Sequence, residues 1–349
     1  MNYIVSAQGG LYCFYGQGGG LFWREYVHEA WSPPAPLKQN SVANFTVSLC
    51  GDKILIVCQG DTWVEQIDFN KGKATASQLV WGGLDGRYYG VPFEDETFLV
   101  HNIPIGGEQS QILMSHRVSP KGLWSDSRHL GRFTPFEDDN PFHVAPVSGQ
   151  HMLLFYQSGT NLGYREIYGR KMGDFNIIHQ NTAINGQACS FLSTTRAAHM
   201  VYMTKNLLSP SLIYRRRDEN GLSAKITIAS GHGIHSPVLY IANDRPHLLY
   251  MHQNDIYTCG FDGADGLAIT PPSKYEGQRA QNLTRCKFLQ ETDKGFAANE
   301  LLVDAQNPWD IQILKNFITP SRPKENRILH AAQIGSQKDY DNFFDNWHE

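Results

Sequence analysis

Seven short apolar runs punctuate this chain, each closing on an amide side chain, and their spacing restricts what it can fold into. They occupy residues 11–17 (LYCFYGQ), 54–59 (ILIVCQ), 98–102 (FLVHN), 152–157 (MLLFYQ), 200–206 (MVYMTKN), 248–253 (LLYMHQ) and 301–306 (LLVDAQ). The closing amides Gln17, Gln59, Asn102, Gln157, Asn206, Gln253 and Gln306 recur every 42 to 55 residues. A period of this length marks a repeat architecture, and short β-prone runs suit propeller blades better than helical repeats.

Within each period the chain reads as two hairpins. Apolar stretches flank turns at 51–53 (GDK), 94–96 (EDE), 148–150 (SGQ), 194–196 (TTR) and 243–245 (NDR). Two β-rich runs divided by a few Gly, Asn, Asp or Ser residues are the hairpin signal. A second turn follows at 70–72 (NKG), 119–122 (SPKG), 218–221 (DENG) and 262–266 (DGADG). The fourth strand is expected at 123–125 in the third period and at 222–229 in the fifth. Helical periodicity appears only in the tail, where Tyr340, Phe343, Phe344 and Trp347 fall on one helical face. The expected fold is all-β: a β-propeller of seven four-stranded blades over residues 1–319, or six if the first and last segments share a blade. A short helical tail over 320–349 follows, packed on the ring or extending from it as a partner-binding helix. Ring closure is expected to pair residues 3–7 with strands of the last period, since an open edge strand is a liability.

Composition agrees. Only 18% of the 349 residues are charged, 12% are aromatic and 32 are glycine, which fits turn-rich β-structure. A net charge of −4 and a pI near 6.4 show no basic footprint for nucleic acid. No run reaches the ~18 apolar residues of a membrane span. The six cysteines have neither CxxC pairing nor ligand spacing with histidine, so no structural metal is expected. Several sit inside apolar runs, as free thiols in a reducing compartment do. Residues 1–6 (MNYIVS) lack the features of a secretory leader. The expectation is a cytoplasmic protein needing no cofactor.

Residues 116–125 (HRVSPKGLWS), a strand–turn–strand segment with Gly and Trp, resemble the degenerate repeats of sialidase-like propellers. The resemblance implies the propeller architecture. The chain departs from that family's Ser-x-Asp-x-Gly-x-x-Trp box in every period, and it also lacks the Gly-His and Trp-Asp signatures of WD40 repeats.

In a propeller the amide-bearing turns and the links between blades share one face, so ligand-directed residues are sought there. Those segments hold Tyr88, Tyr89, His101, Asn102, His143, Gln157, His235, His252, Gln253 and Trp309. Rings beside amides suit a polyhydroxylated ligand: the ring covers C–H faces while amides satisfy hydroxyls. Amides at turns also commonly bond local backbone. Clustered carboxylates Asp138 and Asp139 are the acid–base candidates, with Asp85, Asp255 or Asp304 as a partner across the funnel. His232 and His235, within the segment 232–235 (HGIH), are weighed as a metal pair but lack an evident third ligand. Arg215, Arg216 and Arg217 alternate faces on a strand and read as a solvated run beside Asp218. Residues 16–20 (GQGGG) lack the Lys and Ser/Thr of a phosphate-binding loop. The leading expectation is a non-catalytic propeller that binds a small polar ligand, carbohydrate among the fitting classes, or a protein partner. The alternatives are a glycoside hydrolase or lyase using paired carboxylates, and a structural scaffold for protein interaction.

Overall fold

The computed structural model describes residues 2–304, apart from 29, 51–52, 82–85, 93–95, 107–108, 118–123, 134–141, 149–150, 170, 182–188, 194–196, 205, 207, 219, 243–244, 263–267, 275–282 and 293–294. The tail expected over 320–349, Asp85, Asp138, Asp139 and Trp309 lie outside the described residues.

Every regular element among the described residues is a β-strand. Unit one comprises β1 (Asn2–Ala7), β2 (Gly10–Gln17), β3 (Gly20–Val27), β4 (Ala30–Trp31) and β5 (Ala35–Lys38). Unit two is β6 (Asn44–Cys50), β7 (Lys53–Gln59), β8 (Trp63–Asn70) and β9 (Lys73–Trp81). Unit three is β10 (Tyr88–Pro92), β11 (Thr97–Gly106), β12 (Gln109–Arg117) and β13 (Arg128–Phe133). Unit four is β14 (His143–Ser148), β15 (His151–Ser158), β16 (Asn161–Tyr168), β17 (Lys171–Met172) and β18 (Asn176–His179). Unit five is β19 (Cys189–Ser193), β20 (Ala198–Met203), β21 (Ser211–Asp218), β22 (Gly221–Leu222) and β23 (Ile226–Ser230). Unit six is β24 (Ile234–Ala242), β25 (Arg245–His252), β26 (Asp255–Asp262), β27 (Ala268–Ile269) and β28 (Ser273–Lys274). The hairpin β29 (Leu283–Thr292) and β30 (Gly295–Asp304) follows.

In each unit successive strands pair antiparallel, giving six meanders among the described residues. Their turn chemistry is local. Gln8-Gly9, Gly18-Gly19 and Lys71-Gly72 hold positive φ at both residues, the two-residue turn whose twist matches that of its flanking strands.

The fourth strand differs from expectation. In unit three it is β13, beyond the expected 123–125. In units one, four, five and six it splits in two, so the single run expected at 222–229 becomes β22 and β23. The cause is a repeated backbone clasp at the break. Ser32, Gly173 and Ser223 each donate their N–H to a third-strand carbonyl, of Glu25, Glu166 and Arg216 respectively, at 2.7 to 2.8 Å. An arginine on the third strand locks each clasp. Arg165 Nε donates to Tyr156 Oη at 2.9 Å, and its Nη1 to the Gly173 carbonyl at 2.8 Å. Arg24 reaches Tyr15 Oη and the Ser32 carbonyl in the same way, and Arg215 reaches the Ser223 carbonyl. The three arginines 215–217 are therefore engaged, not solvated: Arg216 pairs with Asp218 at 2.7 Å, and Arg217 crosses to Glu166 of unit four.

Alternate residues of each meander face the units on either side, so the core lies between sheets. Buried clusters join units one to two, two to three, three to four, four to five and five to six. A further cluster joins unit six, unit one and the β29–β30 hairpin, completing a ring. Hydroxyls tie the inner strands of neighbours: Thr46 Oγ1 donates to the Tyr88 carbonyl at 3.1 Å, and Ser190 Oγ accepts from Leu239 N at 3.0 Å.

The hairpin takes a different course from the six meanders. β29 runs parallel to β1, with Lys287 opposite Tyr3, so residues 2–6 do pair with the last period. On its other side β30 bridges to β19 through Ala298 and Ser193. One 12-stranded sheet thereby runs from unit one through the hairpin to unit five, placing the hairpin across the axis of the ring.

Candidate functional site

The inner strands begin at the same end of the ring as the amide-bearing turns. Tyr88 pairs with His101, His143 with Phe155 and Ile234 with His252. Tyr3, Tyr89 and His143 are therefore near the amide-bearing mouth on three different units. β29 brings a cation to the same level. Strand alternation sends Cys286 and Phe288 into the core shared with units one and six, and turns Arg285 and Lys287 the other way.

Lys287 is 5% exposed. Its Nζ donates to Tyr89 Oη at 2.9 Å and lies 3.5 Å from His143 Nδ1. The same nitrogen is 5.5 Å from the centre of the Tyr89 ring. Arg285 spends two donors on the carbonyls of Cys189 at 2.8 Å and Pro237 at 3.0 Å, on units five and six. Across the β29–β30 ladder Lys287 stands opposite Glu300.

Electrostatics follow from this placement. Burial, reinforced by Lys287 and Arg285, holds the His143 imidazole well below its ordinary range, so it is neutral at physiological pH. Burial, then the neighbouring Tyr89, pushes the Tyr3 phenol well up. The Lys287 ammonium thus lies beside a neutral imidazole and neutral phenols. A ring wall stands beside it: Phe191 lies 5.1 Å from His143 and stacks on Phe155 at 4.3 Å.

The remaining sequence candidates are distributed around this centre. Tyr88 and His101 stack at 5.0 Å with a 5° interplanar angle, buried between units two and three. Burial lowers the His101 pKa to about 4, and its Nδ1 has no partner among the described residues. Asn102 Oδ1 accepts from Arg87 N at 2.7 Å, and Gln59 Nε2 donates to the Gly86 carbonyl at 2.7 Å. The Asn102 carbonyl occupies the place of a Cβ at residue 86, so only glycine fits. Two repeat amides therefore clasp one inter-unit link. Gln157 is fully buried and donates to Gly159 O at 3.0 Å. Asn206 accepts from Leu208 N.

Gln253, at φ 57°, is exposed and uses its N–H on the Gly233 carbonyl. His252 packs 5.9 Å from Tyr257, and His235 Nδ1 lies 3.1 Å from Ser236 Oγ. His232 instead approaches the Leu208 carbonyl. Asp255 is a half-exposed partner of Lys274 at 2.9 Å, and Asp304 ends β30. Sequence reasoning missed Lys287, Arg285 and Tyr3. The available signal was alternation of cations with apolar residues over 285–289 (RCKFL). On the same end, a cleft of about 940 Å³ opens between units four and five, lined by His179, Gln180, Asn181, Thr204 and Asn206.

No protein-family model matches the sequence, and no curated protein matches it. Solved structures do. The WD40 domain of Toxoplasma gondii coronin superposes with a TM-score of 0.50 at 9% identity, over 86% of this chain and 80% of that one. The chain is a β-propeller. An apocarotenoid oxygenase of Synechocystis gives a TM-score of 0.50 at 13% identity, over 80% of this chain and 72% of that one. A puromycin-hydrolysing peptidase of Mycobacterium tuberculosis gives 0.51 at 9% identity, over 88% of this chain. The propeller spans 52% of that peptidase and 40% of a prolyl endopeptidase it also matches. At these identities the likeness speaks for the fold alone, because propellers carry unrelated activities.

Proposed function

We propose that this propeller is a non-catalytic binding protein that takes a small polar ligand at the axial end bearing the amide turns. The supporting observation is the convergence of Tyr89, His143 and Lys287, from two blades and the last hairpin, within hydrogen-bond reach of one nitrogen. Binding sites are typically apolar-walled with a few convergent polar groups, and Phe155 and Phe191 supply such a wall. In this reading the amides Gln59, Asn102 and Gln157 shape the mouth by holding backbone, and the contacts come from rings and donors beneath it. Sugars and sugar derivatives fit this mixture of ring faces and donors.

Calorimetric titration of the full chain with a panel of mono- and disaccharides, their acids and small polyols tests this. At least one compound is expected to bind, and more weakly to His143→Leu. A folded protein that binds none of them overturns the reading.

A further inference from the structure

We infer that the cleft between blades four and five seats the chain's own acidic, aromatic segment 338–349 (KDYDNFFDNWHE). Its walls come from β18 and β21, outward of the inner strands β14 and β19, so the surface is separate from the axial site. The cleft has a local cause. In blades one and four an arginine donates Nε to a tyrosine nine residues earlier, Arg24 to Tyr15 and Arg165 to Tyr156. Tyr202 and Arg215 hold the same places in blade five, with Arg215 opposite Met200 as Arg165 is opposite Leu154. Thirteen residues separate them, so the turn between their strands is four residues longer. Arg215 turns its Nη1 instead to the Ile178 carbonyl of blade four, at 2.7 Å. The long turn is tied down on both sides. Thr204 N donates to the Ser211 carbonyl and Gly231 N to the Pro210 carbonyl, both at 2.9 Å, and His232 Nε2 lies 3.2 Å from the Leu208 carbonyl. It lines the cleft with Thr204 and Asn206 and holds Leu208 88% exposed. Blade four lines the cleft with Ile177, itself 46% exposed.

Positive charge stands beside these apolar groups. Arg215 and Lys225 line the same cleft, and after burial these two cations lower the His179 imidazole there. Segment 338–349 lies outside the described residues, and its sequence matches both features. Tyr340, Phe343, Phe344 and Trp347 fall on one helical face. Asp341 and Asp345, one turn apart, flank that face. The segment holds four acidic side chains against one lysine. An apolar helical face of large aromatic rings needs cover, and an amphipathic helix finds it by laying that face into a groove. Asp304 ends β30 at the amide-bearing end, where the cleft opens. The chain from there to residue 338 reaches about 100 Å when extended. Tethering supplies an effective concentration of up to about the mM range, so a modest intrinsic affinity is enough.

The experiment is photo-crosslinking of the full chain with p-benzoylphenylalanine in place of Phe344, read by mass spectrometry of the joined peptides. Crosslinks within one copy to residues 176–181 and 208–215 are expected. Lys225→Glu, at an exposed side chain, is expected to lower their yield about two- to fivefold, the range an exposed ion pair supplies. Adding Asp341→Lys and Asp345→Lys to that variant is expected to restore it. Ile177→Asp, also at an exposed position, is expected to lower the yield through the apolar contact. Crosslinks to the β11–β12 hairpin, where Ile103 and Ile105 are exposed as well, would seat the segment elsewhere and overturn the inference. Crosslinks between two copies, no crosslink at all, or a yield that neither Lys225→Glu nor Ile177→Asp changes would overturn it too.

Discussion

Lys287 Nζ donates a 2.9 Å hydrogen bond to Tyr89 Oη, joining the last hairpin to the third blade across 198 residues of sequence. Removing the acceptor leaves a buried ammonium short of a partner, so Tyr89→Phe is expected to destabilise the fold by about 1–3 kcal/mol. Replacing both groups with apolar ones removes the mismatch. The double variant Tyr89→Phe/Lys287→Met is expected to be more stable than Tyr89→Phe alone. Urea denaturation of the four proteins in the cycle measures this, and a double variant weaker than both singles would contradict it.

Gly86→Ala is expected to cost more than about 2 kcal/mol, because a methyl there meets the Asn102 carbonyl and must push apart the link between blades two and three. Asn102→Ala is expected to cost about 1–2 kcal/mol by leaving Arg87 N without its acceptor. Thermal unfolding of both variants checks the order.

Burial lowers His101 to about 4 from the ordinary imidazole value of 6.5. The unfolded chain therefore takes up this proton first as pH falls. The neutral, buried ring contributes its stability in full above pH 6.5 and loses it between pH 6.5 and about 4, by up to about 3 kcal/mol. His199, held near 4 chiefly by burial, adds a loss in the same window. His101→Phe keeps a ring against Tyr88 and removes one titrating group, so its stability should fall less steeply over that range. Denaturation midpoints from pH 7 to pH 4 test the slope.

Arg165 holds Tyr156 and the strand break at Gly173 together. Arg165→Met is expected to cost about 1–3 kcal/mol and to speed amide exchange in β17 and β18 ahead of β14 and β15. Uniform loss of protection across the blade would show that the arginine acts through the whole sheet.

What could be read in advance follows from how local each determinant is. The meanders were legible because apolar runs and their turns, such as Ile54–Gln59 after the turn at 51–53, lie side by side in sequence. The split outer strands were not, because the clasp at Ser223 depends on Arg215 reaching it across the sheet. Tyr89 and His143 were read from the sequence as ligand-directed candidates, and in the structure both meet Lys287 Nζ. Lys287 was hidden: a lysine between Cys286 and Phe288 reads as an irregular strand until the parallel pairing with β1 shows which way it turns. The amides formed the most visible pattern, and Gln59 and Asn102 are occupied with backbone.

The pairing of β1 with β29 sets an order on biosynthesis. β1 cannot find its neighbour on that side until the residues of β29, the last but one of the described strands, have been made. Contacts so distant in sequence form late and slowly. Up to that point Tyr3, Ile4 and Val5, all buried in the finished ring, lack part of their cover, so the nascent chain carries an uncovered apolar edge while the blades between are being made.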